Sequence, residues 1–432
     1  MSYLRHTLRY RGKLAFLLAT WLLAVGICAA RLDAAEFFLR GGQRVVFFGD
    51  SITQNGTYVV YIDAYLRTRF PGQRFDIVNH GISSETVSGT SEPDHDPPRP
   101  HALKRYERDV AAWKPDVLVS CFGMNDGNYY PFDRERFEKY QAGYRTLIDW
   151  AAKTGCRLVI ATPPPFDPYR RQVSDPRSLA FGYKFPAVDY DGVLDRYSRW
   201  LLDVDEENVS VVDLHEPMNE HLNRRRETLA SFHFSPDAVH PNETGHWLMA
   251  QQLLLAWNAP SEVAVLRVDA KQGKTEGDQT ADVSVVGDSI SISWTAPIPM
   301  PMDPAWDAES IALEEVSRRL NDYRLVVTGV TGAKYEMSVD GVSLGKFNRK
   351  QLTEGIDLAQ LEKFPPTEQA RQVLELVKRR HRLIYDDWRR RIAAGENGWA
   401  AANHPEAAEI DANLRKLCRP VAVRLKLVPA LP

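Results

Sequence analysis

Cysteine is scarce, with four residues in a chain of 432, and one of these, Cys28, lies in an N-terminal apolar run. The other three, Cys121, Cys156 and Cys418, are odd in number and lack the paired spacing of a zinc site, so the chain is no disulfide scaffold. Cys121 falls late in one apolar run and Cys156 begins another, which in parallel strands holds them at opposite ends as buried free thiols. Charge of one sign is missing too. A formal net charge of −3 leaves no basic face or tail for nucleic acid. Internal repeats and low-complexity tracts are absent. Long apolar runs are absent with one exception, Leu14–Ala30, which follows Arg5, Arg9, Arg11 and Lys13 and ends in small residues. It makes residues 1–35 a secretory signal peptide and the protein secreted or periplasmic. The run is only just short of the ~20 residues a span requires, so an uncleaved signal would serve as an N-terminal membrane anchor. Its flanking charges and small residues favour export, and the mature form then meets no membrane.

Apolar residues are plentiful, at 44% of the chain, and from Gln43 to Asn258 they are organised. Short runs at 44–49, 75–81, 116–123, 157–164 and 209–215 alternate with amphipathic segments at Tyr58–Phe70, Ala102–Trp113, Arg134–Lys153, Tyr190–Asp203 and Glu243–Trp257. Continuous apolar strands separated by helices predict a parallel sheet covered on both faces, an α/β fold. Residues 36–260 then form one domain. Residues 261–432 change character: alternating runs at 283–294, 323–330, 334–345 and 421–428, with a hairpin signal at Asp340-Gly341, predict an accessory β-rich module interrupted by helices at Glu354–Leu361 and Thr367–Ala394. The second of these helices is rich in arginine. Acidic residues interleave with the arginines, and Val373, Leu376, Ile384 and Trp388 form a core stripe, so it reads as a solvated face rather than a polyanion-binding one.

Ligands of open parallel sheets collect outside the carboxyl ends of the strands. Ser51 stands just past the first strand, in Gly49-Asp50-Ser51, where it either meets substrate or simply N-caps the next helix. The other strand ends favour substrate. Strand two exits into "NHGISSETVSG" (79–89), strand three into "GMNDG" (123–127), and "SPDAVHPNETG" (235–245) precedes the last helix. Together they put a hydroxyl, an amide, a carboxylate and an imidazole at one sheet edge. A serine nucleophile needs a base and a group to orient that base, roles open to His240 and to Asp237 three residues earlier. The oxyanion formed in acyl transfer needs fixed donors, available from the Ser51 N–H, an N–H of the loop after strand two and the Asn125 side chain.

These blocks resemble those of the SGNH (GDSL-type) hydrolases: "GDSIT", "GMND" and "DAVHP", in that family's order across residues 36–260. The resemblance implies a flavodoxin-like three-layer α/β/α fold and a serine esterase, with Ser51, Asp237 and His240 as triad and Asn125 in the oxyanion hole. Position 53 is threonine, so the G-x-S-x-G elbow of the α/β hydrolases is not present. One departure stands out: Ser84 occupies the place where many members carry a donor glycine. Its N–H can still serve if its φ/ψ are ordinary, with Gly81 as the fallback. Substrate contacts fall to Asp50 and to Tyr129, Phe232 and His233; the aromatic faces of the last three suit sugar rings or acyl chains and are equally explained by packing at the sheet edge.

With secretion, the resemblance favours ester groups on extracellular carbohydrate, as in acetyl esterases. A lipid acyl esterase or thioesterase of the same fold is the alternative, and a non-catalytic carbohydrate-binding protein is disfavoured because every catalytic side-chain type is present. No cofactor is implied. A rival metal site could draw on His80, Asp94, His95, Asp96 and His101 around the Pro-rich loop 91–101, but these lack the spacing of a ligand set, and a solvated loop explains them better. A second "GDS", Gly287-Asp288-Ser289, is read as chance within a strand, and the sequence identifies no protein partner.

Overall fold

The computed structural model describes residues 36–93, 95–168 and 189–430. The leader at 1–35 and Asp94 lie outside the described residues. The apolar runs form five strands, β1 (Arg44–Gly49), β2 (Asp76–Asn79), β3 (Val117–Cys121), β4 (Arg157–Ala161) and β5 (Val209–Val212), all parallel in the order β2-β1-β3-β4-β5. β1 and β3 are buried along almost their whole length because helices cover both faces, which is why their sequence shows no alternation. Among the covering helices are Thr57–Arg69, Arg134–Thr154, Tyr190–Leu202, His215–Thr228 and Glu243–Ala256. His215–Thr228 was not anticipated from the sequence, since its residues are too polar to show a stripe. Cys121 ends β3 and Cys156 precedes β4, and with Cys418 they are buried and unbridged.

Three expectations need correction. Ala102–Trp113 is not one helix but the short turns Ala102–Arg105, Tyr106–Asp109 and Ala111–Trp113. The Asp109 carbonyl, which would carry a helix onward, instead bonds the His80 ring at 2.6 Å. Glu354–Leu361 is not one helix either: Gly355, at φ +109, ends a helix at Glu354, the chain enters β13 (Ile356–Asp357), and only the short 3-10 turn Leu358–Gln360 follows. The second "GDS" is not within a strand. Gly287-Asp288 is the two-residue turn of a hairpin between β8 (Ala281–Val286) and β9 (Ser289–Ala296).

Residues 262–430 supply two further sheets. β6 (Glu262–Asp269), β7 (Lys274–Glu276) and β10 (Asp322–Thr328) join β13 in the order β13-β10-β6-β7. β11 (Lys334–Val339), β12 (Val342–Asn348) and β14 (Val421–Pro429) join β8 and β9 in the order β12-β11-β14-β9-β8. One apolar core fills the space between these sheets, with Leu266, Val268 and Leu325 from one and Ile292, Trp294 and Leu425 from the other. The β11–β12 turn is Asp340-Gly341, with φ of +45° and +86°, the pairing that a type I′ hairpin requires.

The chain leaves this sandwich after β13 as the helix Pro365–Ala393 and returns as β14. On its excursion the helix packs against the parallel sheet. Trp388, fully buried, stacks on His80 with ring centroids 4.3 Å apart, Arg380 donates to the Ile77 carbonyl within β2, and His381 bonds the buried Asp63 carboxylate at 2.9 Å. Leu39–Pro432 groups as one compact unit. None of the described helices is long and apolar enough to cross a membrane.

Candidate active site

The site begins where β1 stops. At Gly49 a Cβ would lie 2.1 Å from Thr53 Oγ1 and 2.7 Å from the Cys121 carbonyl, so only glycine lets the chain fold back at once into the helix Ser51–Asn55. Asp50, not Ser51, caps that helix: its Oδ1 accepts the Ile52 N–H at 3.0 Å. The serine hydroxyl is thereby left for another partner. It meets His240 Nε2 at 2.8 Å, and His240 Nδ1 lies 2.6 Å from Asp237 Oδ2. A carboxylate can only accept, so Nδ1 carries the proton and Nε2 presents a lone pair to Ser51 Oγ.

The loop before the last helix is built to hold that imidazole. Asp237 Oδ1 accepts the Val239 and His240 N–H groups at 3.0 and 2.7 Å, wrapping residues 237–240 around the carboxylate, and Ala238 takes the left-handed conformation at φ +77. Burial works against the charged carboxylate, but the His240 ring and the two amides outweigh it and bring its pKa down to about 2. For His240, burial pulls the pKa down, yet the hydrogen bond and charge of Asp237, with the charge of Asp50, hold it above the ordinary value. Asp50 is 2% exposed, and burial pushes its own pKa up to about 7.

Asn125 is fixed from three directions. Its Oδ1 accepts from Arg99 and from the Tyr129 hydroxyl, both at 3.1 Å, and its Nδ2 donates to the Glu85 carbonyl at 3.1 Å. Two donors on one side and a carbonyl on the other settle the amide orientation and leave one Nδ2 hydrogen to give. Arg99 is in turn gripped by Glu92 through two 2.6 Å bonds. The loop after β2 is clamped in the same manner. Arg105 makes two 2.6 Å bonds to the Glu85 carboxylate and donates to the His80 carbonyl at 2.7 Å. Arg99, Glu92, Glu85 and Arg105 were not legible as site residues, although Glu85 adjoins Ser84 and Arg99 lies in the Pro-rich loop.

Ser84 does not have ordinary dihedrals: its φ is +65. The left-handed region favours glycine, so the position imposes the backbone that a glycine adopts freely. Gly81 is not a spare donor, since its N–H is given to Asn79 Oδ1 at 2.9 Å. Its lack of a side chain serves close approach, as a Cβ there would sit 2.1 Å from the Gln54 nitrogen. The neighbouring Ile82 and Ser83 amides are also engaged, by the Gly49 carbonyl and by Gln54 Oε1. Ser84→Gly should therefore keep full activity and gain about 1 kcal/mol of stability, and Ser84→Ala should match the wild type in both. Thermal melts and esterase rates on the three proteins decide this. A tenfold loss in folded Ser84→Ala would mean that the hydroxyl itself works in the reaction.

The other anticipated contacts sit elsewhere than at an open mouth. Tyr129 is 2% exposed; its hydroxyl bonds Asn125, and its ring lies against the Arg99 guanidinium at 5.5 Å. Phe232 is packed under the Arg225 guanidinium at 4.7 Å and edge-on to His221, while the partly exposed His233 donates from Nδ1 to the Ser231 carbonyl. Asp50 is engaged as a cap. Of the residues considered for a metal, His80 is buried between Trp113 and Trp388, and His95 bonds the Pro97 carbonyl at the surface. Among the described residues no group of His, Cys, Asp and Glu converges as a ligand set. A cavity of about 340 Å³ opens beside His240, lined also by Asn55, Thr57, Asp237, Pro241 and Glu243.

Residues 47–248, which contain Ser51, Ser84, Asn125, Asp237 and His240, match the GDSL-like lipase/acylhydrolase family. The chain is 28% identical over 240 residues to an acetylxylan esterase of Geobacillus stearothermophilus, covering 49% of this chain and 93% of that protein. It also resembles the solved structure of a gut microbial diltiazem-metabolizing enzyme, at 24% identity and a TM-score of 0.74 over 91% of this chain and 98% of the other. The fold is thus shared along nearly the whole length, the C-terminal sheets included.

Proposed function

We propose that this ester-bond hydrolase, whose residues 47–248 form a domain of the SGNH (GDSL-type) hydrolase family, acts by acyl transfer to Ser51 and removes acetyl groups from carbohydrate. The observation that carries the chemistry is the unbroken hydrogen-bond chain from Ser51 Oγ through His240 to Asp237. His240 Nε2 takes the serine proton as Oγ attacks the ester carbonyl, and Asp237 stabilises the imidazolium that forms. The developing oxyanion is met by the Ser51 and Ser84 amides and by the remaining Nδ2 hydrogen of Asn125. His240 then returns the proton to the departing alcohol, and water, activated by the same imidazole, releases the acid from Ser51. The acetyl group as acyl part rests on the likeness to the acetylxylan esterase. Residues 1–35, read as an export signal, would bring the enzyme to extracellular glycan.

The pH profile tests the assignment. The base must be neutral, and its pKa is held above the ordinary 6.5, so kcat should fall as pH drops through a limb lying above 6.5. Asp237→Asn removes the hydrogen bond and charge that raise it, and the limb should move to lower pH while kcat falls. Steady-state rates on an acetyl ester from pH 5 to 9 give both curves. A limb that stays in place in Asp237→Asn would remove His240 and Asp237 from these roles.

A further inference from the structure

Helix Pro365–Ala393 carries many bases, and nearly all are neutralised. Arg371 pairs with Glu362, Lys378 with Asp303 and Glu375, Arg379 with Glu406, Arg380 with Asp411, and Arg390 and Arg391 with Asp387. Among the described residues Arg382 and Arg389 have no carboxylate within ion-pairing distance, although the exposed Asp386 lies between them in sequence. With Tyr385 they fall at spacings of three and four, on one face of the helix.

That face is turned toward the catalytic loops. The Tyr385 hydroxyl donates to the Gly81 carbonyl at 2.9 Å, at the start of the segment that carries Ser84. Arg382, Tyr385 and Lys378 form one wall of a cavity of about 290 Å³ whose other wall is Gln54, Asn55 and Thr57, just downstream of Ser51. Asn55 and Thr57 also line the cavity beside His240, so the two spaces share a wall. No aspartate or glutamate lines the cavity under Arg382. Arg389 stands further along, close enough for its charge to act on the Tyr385 hydroxyl and on Glu85, whose carboxylate Arg105 already satisfies.

We propose that Arg382 and Arg389 form an anion subsite that receives a carboxylate on the alcohol part of the ester, so that the preferred substrate is an acetylated glycan bearing a uronic acid. This rests on the deacetylation reading above and refines it. Helix packing and solubility are served by the paired bases; of the two unpaired guanidiniums, Arg382 lines a cavity that adjoins the nucleophile helix and has no acid in its wall, and Arg389 follows it on the same helix face. A guanidinium recognises a carboxylate through two parallel N–H bonds, whereas a neutral sugar offers it only hydroxyls.

Two measurements test the subsite. The first compares kcat/KM for an acetylated xylo-oligosaccharide carrying one glucuronic acid with that for its neutral counterpart, in the wild type and in Arg382→Ala/Arg389→Ala. The acidic-to-neutral ratio should exceed one and fall roughly tenfold in the double variant, mostly through KM, since an exposed pair contributes up to about fivefold each. It should also shrink as salt rises. The second uses calorimetry of the deacetylated acidic and neutral oligosaccharides with Ser51→Ala, with and without the two arginine substitutions, and reads the subsite without any turnover. Tighter binding of the acidic ligand that depends on the arginines supports the subsite even if neither ester is cleaved, a result that would overturn the deacetylation reading alone. Cleavage of both esters at one rate, with a ratio the arginines do not move, overturns the subsite alone. Arg382→Gln/Arg389→Gln replaces the alanine pair if that pair melts early.

Discussion

Ser51→Ala and His240→Ala each lower kcat by on the order of 10⁵ to 10⁶-fold, and the double variant is no slower than either. The reason is geometric. With Oγ 2.8 Å from Nε2, the attack and the proton transfer are one event, so either loss removes the whole event and the second removes nothing more. Neither change should unfold the protein. Without Oγ, His240 keeps Asp237 as its partner at 2.6 Å; without the imidazole, Asp237 still accepts the backbone amides of residues 239 and 240, and neither side chain is fully buried. Thermal melts establish this before the rates are compared. What rate remains comes from binding and the oxyanion donors, which both variants retain. If the single losses instead multiplied in the double variant, Ser51 and His240 would be acting in separate steps and the triad assignment would fail.

How far the sequence carried this site depends on what kind of interaction holds each part. Strand runs such as Val45–Phe48 are visible because parallel strands buried on both faces must be apolar throughout, and the loops at their ends inherit their position from the topology. Ser51, Asn125, Asp237 and His240 were located in this way, as short polar blocks at strand and helix ends. The capping role of Asp50 was hidden, because an Asp-Ser pair offers two candidate caps and only backbone geometry decides between them. The ion pairs Arg99–Glu92 and Arg105–Glu85 were hidden for another reason: buried charges give no periodicity, and their partners are chosen by tertiary contact. The same holds for the helix Pro365–Ala393. Its apolar stripe was legible at Val373, Ile384 and Trp388, with the buried Val377 rather than the expected Leu376 as its fourth member, but that the stripe packs toward the parallel sheet while Tyr385 holds Gly81 could not be read from a composition of arginines and acids.

The clamp around Asn125 leads to the second large effect. Asn125→Ala should lower kcat by on the order of 10²–10³ with little change in KM, because the donor it removes bonds the oxyanion more strongly than the ground-state carbonyl. The amide gives one Nδ2 hydrogen to the Glu85 carbonyl and receives Arg99 and Tyr129 on Oδ1, so its other hydrogen is held rigidly and needs no reorganisation as charge develops. The substitution also strips the buried Tyr129 hydroxyl of an acceptor, and stability should drop by about 1–3 kcal/mol. Arg99 is protected by its two bonds to Glu92. Asn125→Asp separates the two consequences. A carboxylate can still accept from Arg99 and Tyr129, yet it offers the oxyanion no hydrogen and adds a like charge beside it, so kcat should fall at least as far as in Asn125→Ala. Steady-state kinetics at matched fractions of folded protein make the comparison. A loss confined to KM, or a Asn125→Asp enzyme faster than Asn125→Ala, would mean that Asn125 merely holds Arg99 and Tyr129 in place, and the oxyanion donors would have to be sought among the backbone amides alone.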